Sequence, residues 1–459
     1  MGTYLSFVAS FSKKDACNMM KQVLAAVAVL LQISSLSAQY NWQVLNQSPQ
    51  NGQKQDDVFF LNPSLGWSVN GSGRIFKTTD GGQNWTKMLD KPGTYFRCIG
   101  FLDSLRGFAG NIGTNYFPNV SDTTPLYRTA DGGASWEPVT AISGETPVGL
   151  CAIQVVSPQV IYAGGRVGGP THLMKSTDGG ATWESQNLSE HIAMLTDLYF
   201  SGPDTGFVFG GTDANIQLAH AKILRTTDGG ATWTTVYESS RPFEIIWKAH
   251  FPAPGTAYAT LLSYAPNTLE RFVVKSTDGG LSWTELPLVN NGSKSFGIGF
   301  LDADTGWVGC EQSIYETKNG GATWSAKNVG QYVNKIRVIS TPEQKVAYGI
   351  GVRIYKMTET VGTTSQVNAG YVRVFRAYPN PASDSLTVEY HLEEPATITF
   401  RLTDTKGKVV FETAPEEKKA FRQTETFTTG QLLSGTYFLT VQTAGQILAQ
   451  TTIVIQQKP

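Results

Sequence analysis

An all-β fold is predicted for this chain: a β-propeller of seven four-stranded blades, followed by a small antiparallel β-sandwich. Three observations predict it. The pattern Ser/Thr-x-Asp-Gly-Gly-x-Ser/Thr-Trp returns six times, with its acidic position at 80, 131, 178, 228, 278 and, as Asn, 319. The intervals of 51, 47, 50, 50 and 41 residues match the period of propeller blades. After residue 357 the repeat ends and a different series of short strands begins.

Each repeat carries a second landmark upstream. Val58-Phe59-Phe60-Leu61-Asn62 with Gly66-Trp67-Ser68-Val69 is matched by Ile99 to Asp103 with Gly107-Phe108, and by Ile298 to Asp302 with Gly306-Trp307. Apolar alternation broken by Gly, Asn, Asp and Pro reads as a strand pair. With one strand before the Asp motif and one starting at its Trp, a unit has four strands. The seventh unit, Ile336 to Lys356, lacks a Trp motif, whereas Asn41-Trp42-Gln43-Val44-Leu45 copies the strand that begins at Asn84-Trp85. An N-terminal strand that completes the last blade would close the ring and remove two sheet edges.

The Asp motif has a structural reading. Its carboxylate can accept backbone N–H groups two or three residues on, Gly-Gly supplies positive φ, and the Trp offers an apolar plate to the neighbouring blade. The set is Asp80, Trp85, Asp131, Trp136, Asp178, Trp183, Asp228, Trp233, Asp278, Trp283, Asn319 and Trp324. One carboxylate per turn is too few oxygen ligands for calcium, so no metal is assigned. These motifs resemble the Asp-box (bacterial neuraminidase) repeat of sialidases, sortilin-type receptors, xyloglucanases and photosystem II assembly factor-like propellers. The paired landmarks look most like the last of these. The resemblance covers about residues 40 to 357 and implies a fold, since these families have unrelated activities.

Lys21, the apolar run Val23 to Leu31 and small residues up to Ala38 read as a secretory signal peptide, 1–38, too short in its apolar run to span a membrane. The natural start could be Met1, Met19 or Met20. The propeller is assigned to 39–357, a Thr/Ser/Gly-rich linker to 358–372, and the sandwich to 373–459. In the sandwich, Tyr378-Pro379-Asn380-Pro381, then Asp404 to Val410, then Leu433-Ser434-Gly435-Thr436-Tyr437-Phe438 strongly resemble the C-terminal sorting domain of the type IX (Por) secretion system. That resemblance implies the type IX machinery as a partner and a Bacteroidetes-type bacterium as the source. It further implies export to the cell surface or medium, with the domain removed.

Formal net charge is −1, with 16% charged residues, which leaves no electrostatic footprint for nucleic acid. No cofactor motif occurs, and the five histidines have no metal-type spacing. Cys98 and Cys151 sit one residue out of register on adjacent first strands, which puts them on opposite faces and favours buried free thiols. A sialidase would carry Arg-Ile-Pro near its start; the nearest string is Arg74-Ile75-Phe76.

Binding is therefore the leading expectation, with glycan or protein as ligand. The alternative is a secreted glycoside hydrolase, sialidase- or xyloglucanase-like, whose two acids would leave no local signature. The loops joining strands two and three are enlarged in blades two to five: 111–125, 166–171, 212–220 and 263–270. They and the segments between blades place the candidate rim residues Tyr95, Tyr116, Phe117, Arg166, His172, Asp213, His220, Arg241, Tyr264 and Arg271 on one face.

Overall fold

The structure is a computed structural model and describes residues 39–457, leaving out 51–53, 341–344, 361–365, 368–371, 393, 406 and 444–445. The signal-peptide reading of 1–38 lies outside the described residues. All regular elements among them are strands. They form two units, Tyr40–Glu359 and a second beginning at Thr360.

In the first unit the strands make seven sheets of four or five strands. Their innermost strands are Gln55–Phe60, Phe96–Phe101, Ala152–Val155, Met194–Phe200, Glu244–Ala253, Ser295–Phe300 and Lys335–Ser340. Each packs beside the next, and the last packs beside the first, so they enclose an axis. The seventh sheet is completed by Gln39–Val44, which lies outside Ile354–Thr360. Leu45 N donates to Ile354 O at 2.9 Å. Trp42 in this strand is half-buried rather than buried; Tyr40 beside it is the buried ring. Both meet Trp307 of blade six edge-on, with centroids at 5.2 and 5.7 Å.

The six Asp motifs share one geometry. The first glycine has φ of 67–76° and the second 87–101°, the region that glycine alone enters without strain. In blade one, Thr78 Oγ1 donates to Asp80 Oδ1 at 2.9 Å and accepts from Gly82 N at 2.9 Å. Asp80 Oδ1 in turn accepts from Asn84 N at 2.9 Å, so the carboxylate spans four residues, one more than the expected turn. Asn319 keeps the pattern, accepting from Thr323 N at 2.9 Å while its amide donates to Thr323 Oγ1.

The motif tryptophans correct the reading of them as buried plates. Only Trp183 is buried. Trp85, Trp136, Trp233, Trp283 and Trp324 are half-buried, and in several copies the ring N–H turns back to the second glycine's carbonyl, as at 3.0 Å from Trp85 to Gly82. At four blade boundaries a second-strand aromatic fills the space between blades. Trp67, Tyr162, Tyr258 and Tyr348 stack on Phe101, Phe200, Phe300 and Phe60 of the following blade at 3.5–3.7 Å.

The second unit is a sandwich of two sheets, one running through Ala396–Asp404, Gly435–Thr443 and Gln446–Ile455, the other through Val372–Tyr378, Ser385–Leu392 and Phe421–Thr428. Leu386, Val388, Tyr390 and Leu392 of the second sheet meet Phe400, Leu402, Leu439 and Val441 of the first in one core. The stretch read as a linker contains structure. Strand Ile354–Thr360 runs into it, and Gln366–Val367 pairs with Gln450 and Ala449. Asn380 of the Tyr-Pro-Asn-Pro motif docks on the last strand, accepting from Val454 N at 2.8 Å and donating to Thr452 O at 3.0 Å.

Candidate functional site

The enlarged loops lie where the sequence places them, between the second and third strands of blades two to five. Of the ten rim candidates, the structure brings four to the mouth of the axis. Tyr95 is buried and stacks on Phe117 at 4.7 Å; Tyr116 meets Phe117 edge-on at 4.7 Å. Tyr116, Phe117 and Tyr264 are exposed, and Lys294 lies over the Tyr264 ring at 5.2 Å.

The other candidates are committed elsewhere. Arg166 is buried and donates to the carbonyls of Gly169, Ile112 and Thr114, tying the blade-three loop to the blade-two loop. Arg271 is buried and donates to Thr268, Glu270 and Gly292 carbonyls. Arg241 pairs with Glu244 and Glu285 at 2.8 and 2.9 Å. His172 is the first residue of a third strand, wholly buried, with Nε2 3.4 Å from Glu145. His220 holds Ser239 O at 2.8 Å, and Asp213 accepts from Asn215 N. These residues make contacts that shape the loops. A buried guanidinium satisfied by carbonyls cannot be told from an exposed one by residue type.

The residues that the sequence reading missed lie at or near the starts of the inner strands. Trp247 fills the axis from blade five, with Arg97 of blade two at 4.9 Å and Lys54 of blade one at 5.9 Å from its ring. Arg97 also donates to Asp56 Oδ1, which accepts from the Tyr95 hydroxyl at 3.1 Å. Phe296 and exposed Tyr332 continue the aromatic lining from blades six and seven. Arg97 lies within electrostatic reach of both Tyr116 and Tyr264. Burial, then repulsion by Arg97, lowers the half-buried Lys54 amine to about 8. The signal available in the sequence was position: cations and aromatics within the first residues of strands that line an axis.

Further along the axis the charges are paired. Asp57 accepts from Lys335 at 2.8 Å, and Asp197 lies 3.4 Å from Lys248. Burial opposes ionisation of Asp57, but Lys335 and Arg337 more than offset it and hold the carboxyl below its usual range. Among the described residues no three His, Cys, Asp or Glu side chains converge as metal ligands. Cys98, Cys151 and Cys310 are buried and free, and burial pushes the Cys98 thiol up to about 12, which makes it inert as a nucleophile.

Comparison with known proteins bears on each unit separately. No curated protein matches the chain. Among solved structures, YCF48 bound to D1 peptide is 16% identical, covering 70% of this chain and 97% of that one, at a TM-score of 0.51. PorZ, an essential bacterial surface component of the type-IX secretion system of Porphyromonas gingivalis, is 13% identical over 89% of this chain and 60% of that one, at 0.50. The GH74 xyloglucanase from Xanthomonas campestris is 12% identical over 77% and 60%, also at 0.50. At these identities the likeness speaks for the fold alone. No helix among the described residues is long and apolar enough to cross a membrane. Residues 376–456 match the secretion system C-terminal sorting domain. The chain is thus a β-propeller carrying a C-terminal sorting domain that directs it through type IX export to the cell surface or extracellular space.

Proposed function

We propose that the propeller is a binding module of a Bacteroidetes-type bacterium that acts outside the cell and holds a segment of a partner protein on its loop face. The observation that carries this reading is the exposed set Tyr116, Phe117, Tyr264 and Tyr332, together with Trp247 and the two cations over its ring, Lys54 and the Asp56-paired Arg97. Aromatic faces supply contact area at low entropic cost, and Lys54, beside the Arg97–Asp56 pair, favours a segment bearing a carboxylate. A solved propeller of similar fold carries a bound peptide, which supports a peptide over a glycan. The hydrolase alternative needs two free carboxylates flanking a bond. Asp56, Asp57 and Asp197 are instead each engaged by a cation.

Peptide and glycan arrays probed with the full chain test the proposal, with polysaccharide hydrolysis measured alongside. Acidic peptides should bind, and Tyr116→Ala with Tyr264→Ala should weaken them at least tenfold at an unchanged melting temperature. Glycan-only binding, or hydrolysis of a polysaccharide, would overturn the reading.

A further inference from the structure

On the Asp-box side of Trp247 the axis opens into a second space. It is a cavity of about 210 Å³, walled by the inner strands of blades three to seven. Lys248, Lys335, Arg337, Asp197 and His250 line it. Asp57 lies behind Lys335. Three cations therefore face two carboxylates.

Both carboxylates are already occupied by the fold. Asp57 accepts from Val58 N at 2.8 Å, from Ile99 N of blade two at 3.1 Å and from Lys335. Asp197 accepts from Ala249 N of blade five at 3.1 Å and stands against Lys248. Arg337 is only loosely paired: its Nη2 is 3.8 Å from Asp57, which Lys335 holds more closely, its Nε donates to Val58 O at 3.2 Å, and its side chain is one-third exposed. His250 accepts from Phe300 N through Nδ1 at 3.2 Å, so in the neutral ring the proton sits on Nε2. Arg337 and His250 thus offer donors to a space in which positive charge is in excess.

We propose that this axial cavity is a binding site for a small carboxylate, with Arg337 and the His250 Nε2–H as its donors. Arg337 would take the carboxylate through its planar fork, the geometry that guanidinium and carboxylate share. At about 30 Å³ per water the space holds about seven waters, room for one hexuronic acid and too little for an oligosaccharide. The crowding of cations disfavours their charged forms. Burial and then Arg337 lower Lys335 to about 8, and the same two causes lower His250 to about 4. An anion in the cavity relieves that repulsion. The site is separate from the loop-face surface and does not depend on what binds there.

Titration of the full chain with sodium glucuronate, and separately with inorganic phosphate, at constant ionic strength tests the assignment. Glucuronate should bind with saturable heat and shift the His250 ring resonances. Arg337→Gln should weaken it at least tenfold, with Arg337→Lys intermediate. The Tyr116→Ala, Tyr264→Ala variant should bind glucuronate normally. Should Arg337→Gln fail to fold, the His250 resonances of the unaltered protein still decide. Silent His250 resonances, affinity that survives Arg337→Gln, or preference for phosphate would each overturn the proposal.

Discussion

Tyr348 donates its hydroxyl to the carbonyl of Gly81, 3.1 Å away and 267 positions earlier in the chain. The bond joins the last blade to the first. Lys356 lies over the Tyr348 ring at 5.3 Å and donates to the same carbonyl at 3.0 Å. Other blade boundaries repeat the device. Trp67 donates to Gly132 O, Tyr162 to Gly229 O and Tyr258 to Gly320 O, each with a Lys over its ring. Where the second-strand residue is Phe108 or Phe207, the ring itself packs under the second glycine, Gly180 or Gly280. The Asp box is thus a docking surface for the preceding blade as well as a turn.

Tyr348→Phe removes the donor and keeps the stack on Phe60, leaving Pro63 O without its partner. It should cost about 1–2 kcal/mol. Tyr348→Ala also loses the stack and should cost about 3–5 kcal/mol. Denaturant unfolding of the full chain checks the ranking. Equal stability of Tyr348→Phe and the unaltered protein would show that the latch contributes nothing.

The closing strand should be required for a stable ring. Deleting residues 39–46 exposes Ile354–Thr360 as a sheet edge and uncovers Trp307. Tyr40→Ala should cost on the order of 3 kcal/mol, because that ring is buried, and half-buried Trp42→Ala should cost less. The deletion is expected to melt lower than either single change and to aggregate through the free edge. An unchanged melting curve for the deletion would remove the closure argument.

The Asp boxes should carry an acid limit. Hydrogen bonds, first from the hydroxyl four residues on, lower Asp131, Asp178 and Asp228 to about 2. The unfolded value is about 3.9. A carboxyl depressed on folding stabilises above the unfolded pKa and loses that contribution as pH falls through the folded one. Stability should therefore drop between pH 4 and about 2. Converting the three to Asn, as at position 319, should flatten that part of the melting-temperature profile. A profile unchanged by the three substitutions would place the acid sensitivity elsewhere.

Passage from the periplasm to the surface should depend on the second unit. Ending the chain at Glu359, where the first unit ends, should leave a folded propeller in the periplasm of a type IX-competent host. The full chain should reach the surface or medium. Fractionation with protease accessibility reads the outcome, and efficient surface delivery of the shortened chain would refute the role of residues 376–456 as its address.

The repeat was legible in the sequence because a turn is a local object. Gly81-Gly82 needs positive φ, Asp80 needs a donor four residues on, and both requirements are written within eight residues. The sorting domain was legible for the same reason: Tyr378-Pro379-Asn380-Pro381 and Gly435-Thr436-Tyr437 are short ordered landmarks. The site was legible only as a face. Loop lengths marked where blades two to five project, but residue type could not say that Arg166 and Arg271 spend their guanidinium groups on backbone carbonyls. Nor could it say that Arg97, Lys54 and Trp247, on three different blades, converge. Convergence on an axis is set by ring closure, and ring closure is a sum over all seven inner strands that no window of sequence contains. The sequence by itself therefore determined the blades, the address and the enlarged loops; the tertiary structure decided which side chains converge on the axis and which hold the ring together.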